Sequence, residues 1–204
     1  MVQSLLLLIM TSGAILGSPG PAPLSLAAVG GSFGWRRGFP YLLGLVTAIG
    51  AGCAAASLGL GSLIRKDSVL TMLLMAVSSL YILSIAWRVA SASALPEMQD
   101  RLSVPRFRDG LIVNLTNPKA YAAILAVYAG FALPFESSLA SVLATGAVVI
   151  IVAFLVDMVW LAAGALLKGL FEDERYARPL RVSFAVLMVV AVGLSIKAVF
   201  SMDV

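Results

Sequence analysis

"GSPGPAP", residues 17 to 23, interrupts an oily stretch that otherwise runs from Leu5 to Phe33. Pro19, Pro21 and Pro23 each remove a backbone donor and set a ring against the carbonyl one turn earlier, so no α-helix continues through them. The residues before them, Ser18, Gly20 and Ala22, are pushed toward extended backbone. Seventeen residues separate Pro19 from Val2 and from Arg36, which places the break near the middle of a membrane span. Irregular backbone is tolerated at that depth only where it is buried in protein or lines a wet cavity. The break therefore predicts freed carbonyls on one side and, on the other, a half-helix whose unpaired N–H groups carry partial positive charge.

Outward from this point the chain reads as an all-α polytopic membrane protein. Of its 204 residues 61% are hydrophobic, and the mean hydropathy is +1.03. Apolar runs predict six transmembrane helices, at about 2–33, 39–64, 69–90, 110–132, 139–167 and 181–200, with the first and fourth broken. The polar stretches at 96–109 and 171–181 are too short for a further domain, so residues 1–204 read as one transmembrane domain. Val2 to Leu16 resembles the core of a signal peptide but lacks a positive segment before it, the first basic residue being Arg36, and is expected to stay as a span.

The basic residues fall between apolar runs. Arg36, Arg37, Arg88, Arg101, Arg106, Arg108, Lys168, Arg175, Arg178 and Arg181 follow helices one, three and five, against Arg65, Lys66 and Lys197 on the other side. The positive-inside rule then puts the odd-numbered loops in the cytoplasm and both termini outside it. Two halves of three helices, about 1–95 and 105–204, are inverted with respect to each other by arithmetic. Their breaks, Pro19 and Pro118, lie 99 residues apart, close to half the chain. Paired breaks in inverted halves point to a transporter's midplane binding site.

The formal charge of +4 in this setting reports topology and no nucleic-acid partner. Cys53 is the only cysteine and there is no histidine, which excludes a disulfide framework, histidine-ligated haem and histidine-based catalysis. No nucleophile paired with a base is visible, so no enzyme activity and no cofactor are expected. A metal site is disfavoured, since hard cations need clustered oxygens and soft ones thiolates or imidazoles.

The second break, "GLIVNLTNPKAY" at 110–121, adds chemistry. Asn117 and Pro118 interrupt the span and Lys119 follows. A helix entering at Asp109 puts Lys119 ~15 Å deeper, near mid-bilayer. Asp157 lies eleven residues before the exit at Lys168, at a matching depth. Each charge costs roughly 2.5 to 3.5 kcal/mol at a helix centre, so both are expected to face the bundle interior, paired together or separated by substrate or water. Lys119 beside a half-helix N-terminus suits a carboxylate, while Asp157 suits an ammonium or a coupling proton. A buried pair that only fixes helix register is the structural alternative. Asn114 lies inside the span and reads as a polar cavity residue. Tyr81 can face the cavity or pack at an interface. The glycines at 34, 38, 44, 50, 52, 59 and 61 suit close helix approach.

Pro19-Gly20-Pro21, Gly34, Arg37 and Gly38, "SLYIL" around Tyr81 and "FRDGLIVNLTNPKA" at 107–120 together resemble the LysE/RhtB family of amino-acid exporters. The resemblance implies a carrier of the bacterial inner membrane, exporting amino acids or related small metabolites with the proton motive force and assembling as a homodimer. Read together, the residues predict a secondary transporter for a small zwitterion. Its substrate site would comprise Pro19, Gly20, Pro21, Asn114, Asn117, Pro118, Lys119 and Asp157, with Asp157 also the proton-coupling group. Cation export and a non-transporting membrane scaffold are the alternatives.

Overall fold

A computed structural model describes residues 2–58, 69–91, 104–131, 133–135 and 137–201. Nine helices are found among them. They are α1 (Val2–Gly17), α2 (Pro21–Phe33), α3 (Trp35–Ser57), α4 (Val69–Ala90), α5 (Phe107–Leu115), α6 (Pro118–Gly130), α7 (Ser138–Leu166), α8 (Lys168–Glu172) and α9 (Glu174–Ser201). No strand occurs among the described residues. α3, α7 and the Arg175–Leu194 part of α9 are long and apolar enough to cross a membrane, and α1 with α2, bent by 69° at the break, meets the same test when the pair is taken together.

Both breaks fall where proline forbids a helix. α1 stops at Gly17 and α2 starts with Pro21 at its first position. α5 stops at Leu115 and α6 starts with Pro118. Three boundaries differ from the sequence reading. The second span begins at Trp35 rather than at 39, because Gly34, at φ 79°, turns the chain in a single residue that left-handed backbone reserves for glycine. The fourth begins at Phe107 rather than at 110, because the Asp109 carboxylate accepts the Arg106 N–H and caps an earlier start. The last begins at Glu174 rather than at 181: Asp173 accepts the Arg175 N–H at 2.9 Å, and the helix runs on through Pro179. The part of the second span beyond Leu58, with Gly59, Gly61, Arg65 and Lys66, lies outside the described residues, as does Arg101.

α2 is the centre of the molecule, and every one of its 13 residues is buried. Its sequence, PAPLSLAAVGGSF, is mostly small, which lets neighbouring backbones come close. A Cβ on Gly30 would lie 2.3 Å from the Leu161 carbonyl oxygen, and one on Gly164 would lie 2.0 Å from that of Ala27, so α2 and α7 cross backbone to backbone. α3 and α5 do the same through Gly44 and Gly110, whose added Cβ atoms would lie 2.0 Å from Phe107 O and 2.1 Å from Tyr41 O. Ser25 on α2 shares a buried 2.7 Å hydrogen bond with the Tyr41 hydroxyl of α3. Two apolar clusters result, one around α2, α4 and α9 and one joining α1, α3, α6 and α7, with the breaks between them.

Candidate functional site

A helix that stops in an apolar setting leaves carbonyls without N–H partners. At the end of α1 side chains supply them. Ser18 Oγ donates to Ile15 O at 2.8 Å, Trp160 Nε1 of α7 donates to Gly17 O at 3.2 Å, and Lys119 Nζ of α6 donates to Ser18 O at 2.7 Å and Pro19 O at 3.4 Å. The cation thus sits at the negative end of the α1 dipole, its favoured place. Gly20 provides the room. Its backbone is fully extended (φ −170°, ψ 179°), which any residue adopts, but a Cβ there would lie 2.8 Å from Lys119 Nζ.

The other side of this break differs from the sequence expectation of free N–H groups. Pro21 and Pro23 have no N–H, and Leu24 N already donates to Gly20 O at 3.0 Å. Within the first turn of α2 only Ala22 carries an N–H left over, so this N-terminus is a poor anion cradle.

The second break closes on itself. Asn117 Oδ1 accepts the Lys119 N–H at 3.1 Å, and Asn117 O accepts those of Ala120 and Tyr121 at 3.1 and 3.4 Å. Asn117 Nδ2 donates to Asn114 Oδ1 at 3.3 Å, and Asn114 Nδ2 donates to Leu45 O of α3 at 3.0 Å. The two asparagines therefore tie α5, α6 and α3 into one polar network.

Between the breaks lies a cavity of about 30 Å³, room for about two waters. Asn114, Asn117, Lys119 and Asp157 supply its polar wall, and Ala22, Pro23, Ile49 and Ala153 part of its apolar wall. Asp157 is 8% exposed and, among the described residues, makes neither a hydrogen bond nor an ion pair within 4.0 Å. Lys119 and Asp157 share the cavity without touching. Pro19 and Gly20 meet Lys119, whereas Pro21 and Pro118 act only as first residues of their helices.

Two features escaped the sequence reading. Trp160 reaches the break from α7, and its spacing of three from Asp157, one helix face, was the available signal. Asp109 is a buried junction rather than a boundary residue: it is 3% exposed, accepts from the Tyr81 hydroxyl and the Arg106 N–H, and lies 3.8 Å from Arg88. Tyr81 accordingly packs at an interface between α4 and α5. Among the described residues no three His, Cys, Asp or Glu side chains gather as a metal would require.

Comparison with known proteins agrees with a carrier. The family model described as LysE type translocator matches residues 14–198. The homoserine/homoserine lactone efflux protein of Salmonella typhi is 28% identical over 152 residues, spanning 72% of this chain and 74% of the relative. The protein of the same description from Salmonella typhimurium matches with the same identity and coverage. No solved structure matches.

Proposed function

The chain belongs to the LysE type translocator family, and on that premise we propose that this multi-pass membrane transporter exports small amino acids or close derivatives such as their lactones. It is a transporter, not an enzyme. The substrate class draws on the efflux descriptions of the two Salmonella relatives. The observation that carries the reading is the convergence of Lys119, Asp157, Asn114 and Asn117 on one cavity where two helices are broken. A zwitterion there meets a cation for its carboxylate, acceptors for its ammonium (Asp157 and the carbonyl end of α1), and apolar walls. At about 30 Å³ the cavity is too small for an amino acid, so it must widen on loading.

Six spans in two inverted three-helix repeats, about 1–95 and 105–204, are the architecture we assign, in the bacterial inner membrane with both termini outside the cytoplasm. It is supported by the meeting of chain segments that the charge count puts on one side: Arg88 lies 3.8 Å from Asp109, and the Lys168 side chain approaches Gly34. We assign the coupling proton to Asp157, the unpaired carboxylate of the cavity. A homodimer is the assembly we expect.

Counterflow in proteoliposomes tests the function. Vesicles loaded with an unlabelled amino acid are expected to take up its labelled counterpart saturably, for homoserine and a few small neighbours. Asp157→Asn is expected to lose the response to an imposed pH gradient, and exchange to fall about 30-fold or more, as when one partner of a buried charged contact is removed. Absence of exchange with every amino acid, from folded and inserted protein, would overturn the exporter reading. A mutant that responds to pH as the wild type does would remove Asp157 from coupling.

A further inference from the structure

An alkylammonium group is already seated in this site. Lys119 Nζ holds Ser18 O at 2.7 Å and Pro19 O at 3.4 Å, and the glycine at 20 leaves it room. The carbonyls are fixed by a break that three prolines make permanent, and the preceding Gly17 O is separately held by Trp160. The lysine, in contrast, borders the cavity that Asp157 also lines.

We propose that the carbonyl end of α1 is the substrate's ammonium site, and that Lys119 is a tethered occupant which fills it in the empty carrier and yields it on loading. This rests on the exporter reading for the identity of the ligand, a primary amine. The exchange is balanced in charge. One ammonium replaces another on Ser18 O and Pro19 O, and the freed Lys119 turns to the substrate's carboxylate, so a zwitterion satisfies both groups. A carboxylate-free amine displaces Lys119 without offering it a partner and binds less well. The arrangement gives the substrate's amine its receptor and makes Lys119 the residue that favours free acids over esters.

The test is isothermal titration of purified, detergent-solubilised protein with L-alanine methyl ester, a primary amine without a carboxylate, and with its N-acetyl derivative as control. Removing the occupant by Lys119→Met is expected to tighten ester binding about tenfold, the gain when a site filled nine-tenths of the time is vacated. Gly20→Ala is expected to act in the opposite direction. Its Cβ fills the space of either ammonium, and ester affinity falls about tenfold or more, the ordinary size of an overpacking penalty. The N-acetyl ester is expected to bind none of the three proteins. Ester affinity that is unchanged or weaker in folded Lys119→Met, or unchanged in Gly20→Ala, overturns the proposal, and Gly20→Ala alone suffices should Lys119→Met fail to fold. Ester binding undetectable in the wild type supports the proposal if Lys119→Met reveals it and overturns it if not. Counterflow is measured in parallel, so loss of the exporter reading, with no exchange by wild type, is distinguishable from loss of the ammonium site.

Discussion

At the first break three prolines in five residues strip the start of α2 of donors and leave the end of α1 rich in acceptors, while at the second a single Asn-Pro pair caps its own helix. The first break depends on other helices: α7 sends Trp160 and α6 sends Lys119 to its carbonyls. The second is locally complete, with Asn117 receiving three N–H groups and Asn114 anchoring it to α3. Two similar sequence signals thus make different sites. An acceptor-rich break binds cations, and a self-satisfied break presents a side chain. The side chain of the second fills the first, which joins the halves of the chain through a charge-assisted contact.

Removing the first break should have the largest effect. With Pro19, Pro21 and Pro23 all replaced by alanine, nothing forbids a continuous helix, and the carbonyls at 15 to 19 gain internal partners. Helicity is expected to rise by circular dichroism, and counterflow to fall about 100-fold, since displacement of a site by an ångström costs that much. Retained transport would show that the bend of 69° is packing alone.

Asn117→Ala should come next. It removes the cap of α6 and the contact with Asn114, and loss of such a cap costs about 1 kcal/mol. A lower thermal midpoint in detergent, with reduced exchange that remains measurable, is the expected pair of results. Unchanged stability would mean that the second break is held by its tertiary contacts rather than by its own asparagine.

The sequence made the breaks legible because proline acts through its own covalent structure. Pro19 had only one effect to have, wherever the chain folded, and Pro118 marked where the second half-helix begins. That Lys119 and Asp157 line one cavity agrees with the depth that helix rise gives each, and Gly44, read as suited to close approach, marks a close crossing. What stayed hidden was direction. Lys119 has a long flexible stem, and from sequence alone it could reach Asp157, a substrate or a carbonyl. Only the packing of α6 against α1 selects the last. The donor-poor start of α2 was there to be read, since prolines at its first and third positions have no N–H, but the general rule of positive helix N-termini conceals it. Asp109 was hidden for a related reason. A carboxylate at the edge of an apolar run reads as a boundary until a tyrosine and an arginine from another helix are found beside it.

Pro118→Ala gives the smallest expected effect and the sharpest comparison. Pro118 is the first residue of α6, where a helix has no internal partner for an N–H, so the ring removes a donor that would be unpaired anyway. Its replacement frees some unfolded-state conformations and should lower stability by less than about 1 kcal/mol. Asn117 would still cap, Lys119 would still leave the helix at the same angle, and counterflow should stay within about twofold of wild type, the change expected of a substitution worth a few tenths of a kcal/mol. Thermal unfolding and exchange measured on the same preparation decide it. If Pro118→Ala were as damaging as the triple proline replacement, both breaks would rest on proline, and the contrast between an acceptor-rich break and a self-capped one would fail. If it is silent while Asn117→Ala is not, the second break is an asparagine cap that happens to precede a proline, with Lys119 placed by the cap rather than by the ring.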